Sequence, residues 1–394
     1  MRALRPPAVL PMIAAGMLVT FVTVACGRLA FGLILPFMRE DLGLSYQQSG
    51  NLGTAAALGY LGLVMAAGAF AARRGGRSAV LIGTTLTTAG FVGLALSTHY
   101  LLLAACMLLL GCGTAFAYTP VVSLLAGSFP HRRGAVIGGI NSGIGIGLLG
   151  ASVLVPWLGQ SHAQGWRMAW AVFAVAGAAA SAAAFAFLPR PQPGAGGGAA
   201  DLKPATPVSR NARVRLVALL YGVVGMTYIA QATFMYSYSL DAGLPALDAG
   251  RLAALMAVLS ILAGPFWGTV SDRIGRPLAL TIAMSLCLIG TAIPVAWPTY
   301  AGFALHYIIL GCTVSGMFTS ILASAADAVP SAQAPRATSF VTLFYAIGQL
   351  TGPALAGIVI DKAGFRIAFG TSCALMLAGV WLCRRLAKMV PRRT

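Results

Sequence analysis

Twelve apolar stretches, each about as long as a membrane-spanning helix, follow one another along the chain and leave it few folds to choose from. They cover residues 9–38, 47–71, 78–97, 101–127, 134–158 and 166–188, then 214–240, 248–270, 278–297, 301–327, 337–360 and 365–386. A helix of about 20 residues crosses the hydrocarbon core of a bilayer. Only 9% of the residues are charged and the mean hydropathy is +0.85, where a soluble domain has about 25% charged residues. The 48 glycines fit the same picture, because small residues let membrane helices approach closely. The expected fold class is an all-α polytopic membrane protein with twelve transmembrane helices.

The spans fall into two sets of six. Between them lies a Pro/Gly/Ala-rich stretch without apolar period, which reads as a flexible linker. The expected organisation is a six-helix bundle over 1–188, a cytoplasmic linker over 189–213 and a second six-helix bundle over 214–394. The halves echo each other at an offset of 200 residues: Asp41 and Asp241, Gly43 and Gly243, Gly68 and Gly268, Arg73 and Arg273, Gly75 and Gly275, Cys112 and Cys312, Pro130 and Pro330. Near the end the offset drifts by one, so that Gly165-Trp166-Arg167 answers Gly364-Phe365-Arg366. Two parallel repeats around a midplane cavity are an arrangement of secondary transporters.

Basic residues set the orientation. With the N-terminus inside, cytoplasmic loops and tails hold 20 of the 26 Lys and Arg, the outer loops hold five, and Arg28 completes the count. Both termini are therefore expected in the cytoplasm. The basic start, Met1 to Pro7, leads into a span too long for a cleaved signal peptide. The net charge of +18 is scattered over short loops and forms no basic groove with interleaved aromatics, which argues against nucleic acid as a partner. All seven cysteines fall in apolar segments without metal-ligand spacing, so they read as small packing residues.

Between the eighth and ninth spans stands Gly268-Thr-Val-Ser-Asp272-Arg273-Ile-Gly275-Arg276-Pro277. This stretch resembles the Gly-x-Leu-x-Asp-Arg-x-Gly-Arg loop signature of the major facilitator superfamily (MFS), and with the 6+6 repeat the resemblance covers nearly the whole chain. It implies two pseudo-symmetric bundles with a cytoplasmic latch. Asp272 would meet a helix N-terminus and Arg336 would be its partner. The first-half copy, Gly68 to Arg77, departs from the pattern with Ala72 in place of the carboxylate, so Arg73 and Arg133 lack that partner. The Arg-x-x-Gln-Gly pattern of proton-coupled members is missing from the fourth span, where Met107 and Leu110 take its places. The antiporter pattern is missing from the fifth, which has Leu148 where the proline belongs. A good copy, Gly348 to Gly357, stands in the eleventh span and reads as a kinked, closely packed helix. The first span also looks like that of a little-characterised bacterial branch, distantly similar to monocarboxylate and oxalate/formate carriers.

Within the spans one charge stands out. Arg28 is the only charged residue inside any apolar segment. A guanidinium at bilayer depth costs about 2.5–3.5 kcal/mol and keeps its proton. It reads either as an anchor for an anionic substrate or as a packing residue bonded to helix carbonyls. On the seventh span Tyr221, Tyr228, Gln231 and Tyr238 share a face by helical spacing. Tyr228 matches Arg28 in the repeat, and Tyr238 reads as part of the aromatic belt. Asn141, Tyr345 and Gln349 are further polar candidates in spans that line the cavity of the resembled fold. His306 is a candidate proton-coupling group, with a structural histidine as the alternative. No span buries an Asp or Glu, which favours an anion over a lipophilic cation.

Enzyme constellations and phosphate-cradling motifs are missing, and no cofactor is called for. The expectation is a monomeric secondary active transporter of the bacterial inner membrane, moving a small organic anion, possible proton symport included. The alternatives are efflux of amphipathic drugs or metabolites with Arg28 structural, and a transporter-fold sensor that moves nothing.

Overall fold

The structure, a computed structural model, describes residues 9–129, 132–189, 208–330 and 333–389, apart from the side chains of residues 133–135, 265, 272 and 335. The expected latch roles of Asp272 and Arg133, and most of the linker, lie outside the described residues. Among those residues the regular structure is helical throughout.

Helix α1 (Val9–Thr20) runs into a π-helical segment (Phe21–Leu29) and then α2 (Phe31–Leu42). There follow α3 (Tyr46–Arg74), α4 (Gly76–Leu96), α5 (Tyr100–Ser128), α6 (Arg133–Ser161) and α7 (Gly165–Phe187). The second half holds α8 (Ala212–Asp241), α9 (Ala246–Ile274), α10 (Arg276–Ala296), α11 (Tyr300–Ala326) and α12 (Ala334–Lys388). Eleven helices among the described residues are long and apolar enough to cross a membrane, and the last stretches over 53 residues. That helix is broken at Gly364, where φ is +80° and ψ 171°, so it supplies both the eleventh and the twelfth span. A left-handed φ of this kind suits glycine and few other residues, and the chain turns back there without a loop.

The chain divides into two compact units: Met1–Ile34 with Ala55–Ala199, and Leu35–Thr54 with Ala200–Thr394. In the first, Val19, Val80, Val121, Leu125 and Ile140 form part of a fully buried core where α1, α4, α5 and α6 meet. Phe91 stacks on Trp170 at 5.7 Å and packs against Phe173, joining α4 to α7. In the second unit α8 lies along α12, and Val217, Val224, Met284, Met317 and Val341 belong to its core.

The repeat is visible in the bonding as well as in the sequence. Arg167 donates to the carbonyls of Ala95 and Ser97 at 3.0 and 2.8 Å. Its repeat partner Arg366 donates to the carbonyl of Val295 at 3.1 Å. Gly75 and Gly275, in the matched loops, have φ of 92° and 88°, so both copies turn on a residue free of Cβ strain. Tyr238 departs from the aromatic belt expected for it. It is buried, its hydroxyl donates to the Pro294 carbonyl at 2.9 Å, and its ring stacks on Phe365. A phenol in an apolar bundle is held where its O–H finds an acceptor.

Candidate substrate-binding site

Arg28 stands in the last turn of the π-helical segment. The wider turn is visible in the Ala30 amide, which donates to the carbonyl of Ala25 five residues back, at 2.8 Å. Such turns recur at functional sites. Neighbouring helices hold this one in place: Thr114 of α5 donates to the Thr23 carbonyl at 2.8 Å, and Thr20 donates to the Ile140 carbonyl of α6 at 2.6 Å. Val22, Ala25 and Cys26 are fully buried, while Arg28 is only partly buried.

The guanidinium of Arg28 lies over the ring of Tyr60 on α3, 4.8 Å from its centroid. Tyr118 of α5 lies within the electrostatic reach of both Arg28 and Tyr60, and its hydroxyl donates to Oδ1 of Asn141 on α6 at 3.4 Å. Four helical segments thus bring Arg28, Tyr60, Tyr118 and Asn141 together, all of them partly exposed. The sequence reading names Arg28 and Asn141 but misses the two tyrosines. Their only signal in the sequence is a phenol well inside an apolar span.

The charge of Arg28 has no counter-charge in its own unit. Residues 1–34 and 55–199 contain no Asp or Glu, and no described residue forms an ion pair with Arg28. A guanidinium carries five N–H donors in one plane and no acceptor. Resting its face on Tyr60 gains cation–π attraction and leaves that donor edge for a planar acceptor. A carboxylate matches the edge in a bidentate pair.

In the second unit Tyr345 stacks on Tyr221 at 4.6 Å, and Phe318 meets Tyr228 and Tyr345 edge-on at 5.2 and 5.6 Å. Tyr228 and Tyr345 are therefore brought together through Phe318. Gln231 is not part of this group. It is buried, accepts from the Thr291 hydroxyl at 3.2 Å and reaches the sulfur of Met376 at 3.9 Å. Those contacts tie α8, α10 and the last stretch of α12. Replacing Gln231 with Met is expected to cost about 1 kcal/mol, the net worth of one buried hydrogen bond, and to leave ligand affinity unchanged. Melting and binding curves of the purified variant check both halves of that statement. Gln349 is buried as well.

His306 is buried on α11, with Nδ1 2.9 Å from the carbonyl of Gly290 on α10 and its ring edge-on to Tyr307. The carbonyl can only accept, so Nδ1 carries the proton, and the ring serves as an interhelical tie. At the loop signature, Gly268 faces open space and Arg73 and Arg273 are exposed. Arg276 pairs with Asp327 at 2.5 Å, both partly exposed, a pair absent from the expected latch. Arg336 stands in the first turn of α12. An exposed pair of this kind is worth about 0–1 kcal/mol, so Asp327→Asn is expected to shift the melting temperature little. Thermal unfolding of the variant beside wild type tests this.

A twelve-span helical fold with an internal repeat is that of a secondary transporter. A family model described as an uncharacterised MFS-type transporter YbfB matches residues 20–387. The chain belongs to the major facilitator superfamily. Mouse (Mus musculus) monocarboxylate transporter 11 is 24% identical over 380 residues, covering 92% of this chain and 84% of the relative. A probable vesicular acetylcholine transporter-A of Danio rerio is 30% identical over 149 residues, 38% of this chain and only 29% of the relative's length. Among solved structures, a D323A mutant of the nucleoside transporter NupG superposes with a TM-score of 0.80 at 15% identity, covering 95% of this chain and 99% of that one. A bacterial homologue of the human lysosomal transporter Spinster gives 0.72 at 16% identity, over 97% and 96% of the two chains. These structural likenesses bear on the fold alone.

Proposed function

We propose that this transporter carries a small organic anion with a carboxylate head across the bacterial inner membrane by alternating access, and that Arg28 is the anion's anchor. The observation that carries the reading is the guanidinium of Arg28, face-down on Tyr60 in a unit without a single carboxylate. Tyr118 and Asn141 are assigned the polar flank of the anchor. In the second unit Tyr228 and Tyr345, with Gln349, are assigned contacts to the rest of the substrate. The similarity to a protein named a monocarboxylate transporter over 92% of the chain points the same way. Both termini are assigned to the cytoplasm from the distribution of Lys and Arg, and the coupling proposed is proton symport.

The test is a thermal-shift screen of purified protein against monocarboxylates, dicarboxylates, aromatic acids, nucleosides and cationic dyes. A ligand that binds only the folded state raises the melting temperature. Stabilisation by one or more acids, followed by their uptake into proteoliposomes under an imposed pH gradient, upholds the reading. Stabilisation by dyes or nucleosides alone overturns it, the dyes in favour of efflux.

A further inference from the structure

The first turn of α3 has its backbone donors satisfied from two separate sources. Ser45 and Gln48 form a reciprocal cap: the Ser45 amide donates to Oε1 of Gln48 at 2.9 Å, and the Gln48 amide donates to Oγ of Ser45 at 3.1 Å. This pairing is local and belongs to the helix itself. It cannot reach the amides of Tyr46 and Gln47. Those two donate to Oδ1 and Oδ2 of Asp361, at 2.9 and 2.7 Å, from a carboxylate more than 300 residues away in the chain, just before the Gly364 break. The ring of Tyr46 meets Phe365 edge-on at 4.9 Å, and the Arg39 guanidinium covers it at 4.0 Å. One helical turn of α3 is thus held to α12 by charge, dipole and ring contacts together.

The matched position in the repeat is built otherwise. α9 carries its own acid, Asp248, in its first turn, where α3 has none. Asp361 in turn corresponds to Ser161 at the offset of 200. The carboxylate thus stands on a different helix from the one it caps, at one of the two matched places only. α3 also crosses the boundary between the compact units, which falls between Thr54 and Ala55.

We infer that Asp361 is a detachable cap, a gate residue that holds the start of α3 to α12 on the face poor in Lys and Arg and lets go during the transport cycle. The chemistry suits a latch. Two charge-assisted bonds at a positive helix end are strong, yet α3 survives their loss because Ser45 and Gln48 still cap it. An exposed carboxylate regains water when released, so opening leaves no buried charge. The inference requires that the chain transports but is indifferent to what it carries.

Hydrogen exchange in the peptides spanning residues 44–54, resolved to single amides, tests the cap. In Asp361→Ala the amides of Tyr46 and Gln47 should exchange about tenfold faster or more, with Gln48 unchanged. Asp361→Asn, which keeps one acceptor oxygen, should fall between and serves if the alanine variant does not fold. The gate is tested with spin labels at Gln47→Cys and Lys362→Cys in a Cys312→Ala, Cys373→Ala background. With Asp361 present the pair should show one short distance, and with Ala a second, longer population. Unchanged exchange at 46 and 47, or equal acceleration at 48, overturns the cap. A single short distance in the alanine variant overturns the gate. Neither readout uses a substrate, so an error in the assignment of the anion leaves them intact.

Discussion

Replacing Arg28 with Gln is expected to weaken carboxylate binding by about 10- to 100-fold while the ligand-free protein melts no lower than wild type. Binding falls because a charge-assisted hydrogen bond is worth about 1.5–3 kcal/mol, and each 1.4 kcal/mol is about tenfold in affinity. The sign of the stability effect comes from the membrane. A guanidinium at depth costs about 2.5–3.5 kcal/mol to insert, and in this structure it recovers only the cation–π contact with Tyr60, worth about 0.5–2 kcal/mol. Removing it relieves more than it forfeits. Arg28→Lys should retain part of the affinity, since it keeps the charge but loses the planar fork and the stacking. Isothermal titration or thermal shift on the three proteins gives the ranking. A drop of several degrees in the ligand-free melting temperature of Arg28→Gln would instead make Arg28 a packing residue.

The second large effect is expected at the seam between α8 and α12. A Cβ at Gly348 would run into the carbonyl of Gly222 and the amide nitrogen of Met226; at Gly352, into the carbonyl of Met226; at Gly225, into the carbonyl of Tyr345. These are backbone atoms, so no side chain can swing aside to make room. Gly348→Ala is therefore expected to cost about 1–3 kcal/mol, as overpacking of a close-packed core does, and Gly348→Leu should not accumulate as folded protein. Gly370→Ala is the control, because a Cβ there meets open space and removing a helical glycine gains about 0.5–1 kcal/mol. Opposite shifts in melting temperature for Gly348→Ala and Gly370→Ala are the expected result. Equal shifts would mean that the seam yields.

The spans were legible because hydropathy over about 20 residues reports burial in lipid directly, and the break between the last two was marked by Gly364. The Gly348 to Gly357 pattern also read true as a seam, since only small residues allow such an approach. Arg28 was legible as a charge out of place. What escaped was convergence. Tyr60, Tyr118 and Asn141 come from three different spans, and spacing within one helix carries no information on which residues of other helices it meets. Gln231 failed for the same reason: its spacing with Tyr228 put it on a shared face, but Thr291 and Met376, unseen in that pattern, take up its amide. The π-helical turn left no trace in the hydropathy, because an apolar run looks alike whether its bonds close at four residues or at five.

That turn bears on how the two halves descend from one another. A helix closed at five-residue intervals houses a residue for which a regular helix has no place, and α8, the counterpart of the first span, is an unbroken α-helix of 30 residues. The first span thus carries the mark of a single-codon insertion. Downstream of it the halves align at an offset of 200, with Asp41 on Asp241; upstream of it the true counterpart of each residue lies one position further on. Removing that one residue would turn everything before it by about 100° relative to Arg28, the rotation per residue of an α-helix. A comparison of the halves at constant offset therefore misassigns the whole beginning of the first span, and the arginine sits where the register changes.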